Sequence, residues 1–293
     1  MMSNPMILSG KDVSQSVYKK LNEQISFLKS KNITPGLAVV LVGDDPASRV
    51  YVKAKTKQFN KLDLVSKTIQ LPADTIESDL LNLIRKLNQN PLYHGILVQL
   101  PLPKHLNTQN IIESISPKKD VDGFHPENVG HLAIGDPKFI PCTPKGIMRI
   151  LSHYKIELNG KHVVVLGRSN LVGRPISILT SLKQAGANGT TTLCHSATKN
   201  ISFFTRSADV VIIALGVPEF LTVDMVKEGA IVIDVGINRI DSNTEKGYRL
   251  VGDVNFESVA TKVSAITPVP GGVGPMTIAM LVENTVEAAT QTL

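Results

Sequence analysis

Short apolar strands that alternate with helix-length segments are the feature that most constrains this fold. In the second half of the chain, runs rich in Val, Ile and Thr occupy 162–166, 190–194, 209–213 and 230–234. In the first half, two continuously apolar runs occupy 37–42 and 95–100. Strands that are apolar along their whole length are buried on both faces, which is typical of parallel sheets covered by helices. The pattern therefore predicts an α/β fold built from βα units rather than a β-sandwich.

The length of the chain favours two domains. Its 293 residues reach the size at which a single hydrophobic core usually stops growing. The segment 130–145, with three prolines and two glycines, is interpreted as the connection between the halves. We expect a first domain at 1–146 and a second, Rossmann-like domain with a parallel sheet at 147–274, with a cleft between them. A last helix, 275–293, is expected to return to the first domain. Its predicted apolar face consists of Met276, Ala279, Met280 and Val286.

Composition excludes several classes of protein. Apolar residues make up 42% of the chain and charged residues 19%, which excludes a disordered chain. No apolar run approaches the ~20 residues needed to span a membrane, and the first residues lack the pattern of a secretory signal. The net charge of +6 is spread along the chain, which favours anionic small molecules over nucleic acid as partners. Two cysteines, Cys142 and Cys194, are too few for a disulfide framework, so we expect a cytoplasmic protein.

A loop with two glycines, Gly167–Gly173, follows one predicted strand and precedes a helical segment. Glycines in this position let the backbone approach a pyrophosphate that is bound at the helix N-terminus. A simple tight turn between a strand and a helix explains the same residues. The motif alone therefore leaves both interpretations open.

The residues after the next strand distinguish between the two nicotinamide cofactors. A site for NAD usually carries an Asp or Glu about 20 residues further on, which binds the ribose hydroxyls. No acidic residue occurs in 186–206, whereas Arg168 and Ser196 offer donors for a 2′-phosphate. This pattern favours NADP. For His195 and Lys199 a solvated strand end is the alternative, and for Lys199 it is preferred.

A predicted helix carries the most reactive candidate, Lys55. Asp45 and Pro46 give the helix a strong start, and Ser48, Tyr51 and Lys55 then fall on one face. Most helical lysines are solvated surface residues, and this interpretation fits Lys55 too. The alternative is that Lys55 points into a cleft, where desolvation lowers its pKa and lets the amine exchange protons near neutral pH.

Three further segments are candidates for the same site. Val98, Gln99 and Leu100 end a predicted buried strand, where ligand contacts belong in an open parallel sheet. The loop 120–126 contains two carboxylates and a histidine, and a turn with capping aspartates is its alternative. No second histidine or cysteine stands at ligand spacing, so we expect no metal. The loop 268–275, with three prolines and three glycines, is a candidate ligand wall or a turn that closes a domain.

Together these motifs resemble the bifunctional methylenetetrahydrofolate dehydrogenase/cyclohydrolase family over almost the whole chain. The matching stretches are Val42-Gly43, 45–48, Tyr51 with Lys55, 95–103, 119–126, 141–144, 167–169, 172–175, 194–196, 234–238 and 266–276. Any one of them can arise by chance, but their number and order make the resemblance specific.

The resemblance implies an enzyme of one-carbon metabolism that oxidises 5,10-methylenetetrahydrofolate with NADP and hydrolyses the methenyl product to 10-formyltetrahydrofolate. It implies that Lys55 is the acid–base group, that Gln99 orients it, that Tyr51 stacks on the folate and that Asp122 anchors the pterin. The implied folate contacts are Tyr51, Lys55, Val98, Gln99, Leu100, Asp122, Pro270, Gly271, Gly272, Val273 and Gly274. The implied dinucleotide contacts are Gly167, Arg168, Ser169, Ser196 and Ile237. A homodimer is also implied.

The chain departs from the family pattern at Ala197, where the family often carries Arg, and in a longer connection at 184–189. The competing interpretation is a homologue with one activity, or a dinucleotide-binding sensor without catalysis. Tyr51, Lys55, Gln99 and Asp122 are all present, and a binder that does no chemistry has no need for this set.

Overall fold

The computed structural model describes residues 4–242 and 247–293. The described strands are β1 (Met6–Ile7), β2 (Gly36–Val42), β3 (Val65–Leu71), β4 (Gly95–Val98), β5 (His162–Leu166), β6 (Thr190–Cys194), β7 (Val210–Ile213), β8 (Ile231–Asp234), β9 (Asn238–Asp241), β10 (Tyr248–Val251) and β11 (Ala265–Ile266). The described α-helices are α1 (Gly10–Ser30), α2 (Pro46–Lys61), α3 (Glu77–Gln89), α4 (Thr108–Ser114), α5 (Pro126–Ala133), α6 (Cys142–His153), α7 (Gly173–Ser181), α8 (Ile201–Thr205), α9 (Phe256–Val259) and α10 (Val273–Thr290). This order confirms the predicted α/β class.

The chain forms two compact units. The six-stranded unit contains the residues up to Gln15 and Thr143–Thr277, and the three-stranded unit contains Ser16–Cys142 and Ile278–Leu293. In the described part of the chain, no helix is long and apolar enough to cross a membrane.

The six-stranded unit is built on a parallel sheet with the strand order β1-β11-β8-β7-β5-β6. Its central strands β5 and β7 are apolar and buried between the covering helices, as the sequence pattern predicts. From β5 the chain leads to β6 on one side, and from β7 it leads to β8 on the other. The order therefore reverses between β5 and β7, and ligands of such sheets bind at the carboxyl edge near this point.

The start of the chain pairs with the six-stranded sheet. Met6–Ile7 pairs in parallel with Ala265–Ile266 and so extends this sheet, whereas the predicted first domain, 1–146, includes these two residues. The strand has only two residues, too few to show a strand pattern. The boundary between the units falls at Cys142 and Thr143 rather than at 146. The predicted functions of the two domains, and the cleft between them, stay predictions.

The three-stranded unit has the parallel order β3-β2-β4, with all seven residues of β2 buried. Helix α2 follows β2 directly, so its start lies at the carboxyl edge of this sheet. Residues 278–293, which include most of α10, belong to this unit. The helix begins two residues before Pro275, and all four residues of its predicted apolar face are fully buried.

Candidate active site

Lys55 lies on the buried face of α2. Asp45 caps this helix by accepting a hydrogen bond from the backbone N–H of Ser48 over 2.7 Å, and Pro46 is its first residue. Ser48, Val52, Lys55 and Phe59 are the buried residues of the helix. Their spacing of three and four residues makes one stripe. The ammonium-bearing side chain of Lys55 is only 8% exposed.

Three other lysines on or at the end of the same helix show that this burial is specific. Lys53, Lys57 and Lys61 are exposed, as helical lysines usually are. The interpretation of Lys55 as a solvated surface residue is therefore wrong. A buried ammonium group is costly unless it has hydrogen-bond partners. Lys55 therefore needs a partner close to its Nζ atom.

That partner is Gln99, directly after β4. Lys55 Nζ donates a hydrogen bond to Gln99 Oε1 over 3.0 Å. The backbone N–H of Gln99 donates to Val40 O over 2.9 Å, which continues the pairing of β4 with β2. Gln99 Nε2 donates to the carbonyl oxygen of Leu100 over 2.8 Å. Because the amide nitrogen is held in this way, the amide oxygen faces Lys55.

Asp122 lies in a turn that follows a segment beside β4. Ile96 of β4 makes a parallel bridge with Asp120, and the chain then turns, with the N–H of Gly123 donating to Asp120 O over 3.1 Å. Burial raises the pKa of the Asp122 carboxyl, and the positive charge of Lys55 opposes this shift. The fold thus brings Lys55 near both Gln99 and Asp122, and the predicted roles of these residues stay predictions.

The two carboxylates of the 120–126 loop have different tasks. Asp120 Oδ2 accepts from the backbone N–H of His125 and from Asn128 Nδ2, each over 2.8 Å. His125 Nδ1 accepts from the N–H of Glu127 and caps α5. The cap of α5 is therefore His125 rather than an aspartate, and Asp120 holds the backbone of this cap residue. Among residues 4–242 and 247–293, no group of three or more His, Cys, Asp or Glu residues could hold a metal ion.

Sequence reasoning missed Asn284 of α10. Its side chain is fully buried, and Nδ2 donates to Val121 O over 2.8 Å and to Ile140 O over 3.1 Å. Asn284 thus holds the backbone immediately before Asp122. The only sequence signal for it is a single amide within the apolar pattern of the last helix.

Tyr51 lies one helical turn before Lys55. Its side chain is 41% exposed, and partial burial raises the pKa of its hydroxyl. A ring that is half covered and half open offers one face to a flat ligand.

The glycine loop, Gly167–Gly173, follows β5 in the six-stranded unit. Gly167 has φ +109°, and a Cβ there would overlap with the carbonyl oxygen of Ala214. A Cβ at Gly173 would overlap with the carbonyl oxygen of Gly167. Ser169 Oγ accepts from the N–H groups of Val172 and Gly173, over 3.1 and 3.4 Å. The backbone segments of this loop therefore lie so close together that both positions require glycine. Loops that bind dinucleotides use glycines for the same reason.

Arg168 and Ser196 each lie two residues after a strand end at the carboxyl edge of this sheet. The strands β5 and β6 end at the paired residues Leu166 and Cys194, and Arg168 and Ser196 are both exposed. His195 belongs to a turn in which its Nδ1 accepts from the N–H of Ala197. Ile237, which follows β8, is 41% exposed. With the absence of a carboxylate from 186–206, this donor set fits a dinucleotide that carries a 2′-phosphate.

The proline- and glycine-rich loop belongs to the six-stranded unit. Gly271 has φ +107°, its carbonyl oxygen accepts from the N–H of Lys11 over 3.1 Å, and a Cβ at Gly10 would overlap with Gly272 O. The loop is thus a fixed irregular segment, as predicted. The predicted contact of Pro270, Gly271, Gly272, Val273 and Gly274 with folate stays a prediction.

Comparison with known proteins gives one consistent result. Residues 8–122 match the catalytic domain of the tetrahydrofolate dehydrogenase/cyclohydrolase family, and residues 141–293 match the NAD(P)-binding domain of that family. The chain is 53% identical over 287 residues to the bifunctional protein FolD of Chloroherpeton thalassium, covering 97% of this chain and 98% of that protein.

Solved structures agree with this match. The bifunctional methylenetetrahydrofolate dehydrogenase/cyclohydrolase of Campylobacter jejuni is 50% identical, with a TM-score of 0.93 over 98% of this chain and 99% of that one. The Trypanosoma brucei enzyme, solved with NADP and an inhibitor, is 36% identical, with a TM-score of 0.94 over 99% of both chains. The buried Lys55–Gln99 pair, the glycine loop and these similarities lead to one conclusion: the chain belongs to the bifunctional tetrahydrofolate dehydrogenase/cyclohydrolase family.

Proposed function

We propose that this chain oxidises 5,10-methylenetetrahydrofolate to the 5,10-methenyl cation with NADP and then adds water to give 10-formyltetrahydrofolate and a proton. The first step removes a hydride from the methylene carbon, and the folate nitrogens on either side stabilise the resulting cation. The second step has no net redox change. The observation that carries the proposal is the buried Lys55 Nζ bonded to Gln99 Oε1.

Gly167, Arg168, Ser169, Ser196 and Ile237 are proposed to hold the dinucleotide. When bound, NADP supplies the hydride acceptor. Gly167 and Ser169 shape the loop, while Arg168 and Ser196 bind the 2′-phosphate with charge-assisted hydrogen bonds. The exposed side chain of Ile237 offers an apolar contact to the cofactor.

Lys55 is proposed to carry protons in the hydration step. Water that attacks the methenyl carbon must lose a proton, and the folate nitrogen whose bond to that carbon breaks must gain one. An amine held in one place can perform both transfers. Gln99 orients the amine because its oxygen accepts from Nζ while its own nitrogen is held by Leu100 O.

Tyr51 and Asp122 are proposed to place the folate. The half-exposed ring of Tyr51 stacks on it, and the Asp122 carboxyl binds the N–H groups of the pterin. Val98 and Leu100, which flank the end of β4, and the loop of Pro270 to Gly274 complete the proposed contacts. Alignment of the methylene carbon with the cofactor is the main requirement for the first step.

Two properties of the whole protein are proposed as well. We infer a homodimer from the family resemblance. We also infer a cytoplasmic location, since two cysteines, Cys142 and Cys194, are too few for a disulfide framework and structural disulfides are rare in reducing compartments.

Assays of the purified chain test the proposal against its alternatives. Methylenetetrahydrofolate is supplied with NADP or with NAD, and methenyltetrahydrofolate is supplied alone. We expect oxidation that prefers NADP, and methenyl hydrolysis above the spontaneous rate. A homologue with one activity would show only one of these reactions, and a dinucleotide sensor would bind NADP and show neither.

A further inference from the structure

Two buried carboxylates in the six-stranded unit have no role in the chemistry described above. Asp234 ends β8 and is 3% exposed, and Asp253, which follows β10, is fully buried. In the described part of the chain, the hydrogen bonds to their carboxylate oxygens come from backbone and side-chain amides. Buried charges of this kind are costly, so their placement calls for an explanation.

Asp253 joins two loops through one carboxylate. Its Oδ2 accepts from the N–H groups of Leu215 and Gly216, over 2.6 and 2.9 Å. Its Oδ1 accepts from Asn238 Nδ2 over 2.8 Å. The first loop follows β7 and the second follows β8, so this side chain sets the spacing between them.

Asp234 holds the segment that carries Asp253. Its Oδ1 accepts from the N–H of Asp253 over 3.0 Å, and its Oδ2 accepts from the N–H of Val254 over 3.0 Å. A Cβ at Gly252 would overlap with Asp234 Oδ2, and a Cβ at Gly236 would overlap with Asp253 Oδ1. Asp234 therefore packs against Gly252, and Asp253 packs against Gly236. A larger residue at either glycine would require the backbone or the aspartate to shift.

The two loops lie at the edge where the dinucleotide is proposed to bind. Ala214, the first residue of the first loop, supplies the carbonyl oxygen with which a Cβ at Gly167 would overlap. Ile237, a proposed cofactor contact, lies between Gly236 and Asn238 in the second loop. In the order of the sheet, β7 stands between β5 and β8. Asp253 thus acts on the loop after β7, next to the glycine loop, and on the loop after β8, one strand further along the sheet.

We propose that Asp253 is a positioning residue of the dinucleotide site, which holds the 214–216 and 236–238 loops at the spacing that the cofactor requires, and that Asp234 holds Asp253 in place. This inference rests on the proposed function. Asp253 acts through the loops and makes no contact with the reacting atoms.

The variant Asp253→Asn tests the proposal, because it keeps the shape and replaces one acceptor oxygen by an NH2 donor. In one orientation the new NH2 group faces the N–H groups of Leu215 and Gly216. In the other orientation it faces the NH2 group of Asn238. We expect the KM for NADP, and the Kd for NADPH from a fluorescence titration, to rise about tenfold or more. Hydrolysis of methenyltetrahydrofolate without dinucleotide should stay at the wild-type rate.

Asp209→Asn is the matched control at the opposite edge of the same sheet. Asp209 Oδ2 accepts from the N–H of His162 over 2.7 Å, at the amino ends of β7 and β5. This variant should lower the Tm without changing the KM for NADP. If Asp253→Asn does not fold, Asn238→Ala replaces it in the test, because it removes one hydrogen bond to the Asp253 carboxylate. This variant should raise the KM for NADP by a smaller factor.

The outcomes separate the two claims. The positioning role is overturned if the KM for NADP is unchanged in both Asp253→Asn and Asn238→Ala. It is also overturned if these variants lose both activities equally. An equal rise of the KM in Asp209→Asn overturns it as well. Wild-type protein that lacks both activities contradicts the proposed function instead.

Discussion

Asn284 Nδ2 donates a hydrogen bond to the carbonyl oxygen of Val121 over 2.8 Å, and the next residue is Asp122. A side chain from the last helix therefore holds the peptide that carries the proposed pterin anchor. The bond is fully buried, so removal of the amide takes this donor from Ile140 O and leaves Val121 O with the weak thiol donor of Cys142, over 3.4 Å.

Asn284→Ala should therefore lower stability and weaken folate binding together. An unsatisfied buried group costs about 1–3 kcal/mol of unfolding free energy, which urea denaturation would measure. The KM for methylenetetrahydrofolate should rise, while the KM for NADP should not. Thr285→Val is the control, since Thr285 Oγ1 donates within the helix, to Leu281 O. A rise of the folate KM in this control would contradict the specific role of Asn284.

Lys55→Met should separate the two reactions. Methionine keeps much of the side-chain volume but has no amine, so methenyl hydrolysis should fall by about 10²–10⁴-fold. The dehydrogenase rate should fall less, because alignment dominates that step. Lys53→Met and Lys57→Met, exposed positions on the same helix, should behave as wild type. Undiminished hydrolysis by Lys55→Met, corrected for the spontaneous rate, would place the proton carrier elsewhere.

Gln99→Ala should weaken both steps, because it removes the acceptor that orients Lys55 Nζ. If Gln99 acts through Lys55, the hydrolysis lost in the Lys55→Met/Gln99→Ala double variant should not exceed that lost in Lys55→Met alone. Rates of methenyl hydrolysis for the four proteins of this cycle measure the coupling. Losses that multiply would show that Gln99 acts independently.

Arg168→Ala should raise the KM for NADP about ten- to a hundredfold, since a hydrogen bond to a charged group contributes about 1.5–3 kcal/mol. The KM for NAD should hardly change, because NAD lacks the 2′-phosphate. Lys199→Ala, at an exposed residue five positions after Cys194, is the control and should leave both constants unchanged. Equal losses for the two cofactors would exclude recognition of the 2′-phosphate by Arg168.

Asp234 should make stability depend on pH. Burial, together with repulsion from Asp253, raises the pKa of its carboxyl from 3.8 to about 7, although three backbone N–H bonds oppose the shift. The folded protein therefore holds this proton more tightly than the unfolded chain. As the pH rises from about 4 to about 7, this group lowers the unfolding free energy, by roughly 4 kcal/mol at most.

Urea denaturation of wild type and Asp234→Asn across this pH window tests the effect. The variant should be less stable overall, since an amide cannot accept all three bonds, but it should lose this part of the pH dependence. Parallel curves for the two proteins would show that Asp234 does not titrate in this range.

The sequence predicts those parts of the fold and site that depend on local pattern. The buried strands β5, β7 and β8 are continuous apolar runs, and their predicted bounds differ from the structure by at most one residue. The glycine loop and the helix start at Asp45 are likewise local signals. By contrast, β3 (Val65–Leu71) was not predicted, because this edge strand carries polar residues and is only partly buried.

Residues that act across long stretches of sequence could not be found in this way. Periodicity sets Lys55 on one helix face with Ser48 and Tyr51, but whether Lys55 is buried there depends on packing that the sequence does not show. Asn284 and Val121 meet because a distant helix packs there, and Asp234 and Gly252 meet because two loops cross. Such contacts leave no local pattern to read.

The pairing of Met6–Ile7 with Ala265–Ile266 has a consequence for synthesis on the ribosome. The first strand is translated long before its partner, because the two lie far apart in the sequence. The β1 edge of the six-stranded sheet therefore forms by a contact between distant residues, which is slow to form. A nascent chain that has not reached residue 265 contains Lys55, Gln99 and Asp122, yet its first strand has no place to pair and Asn284 is not there to hold Val121 O.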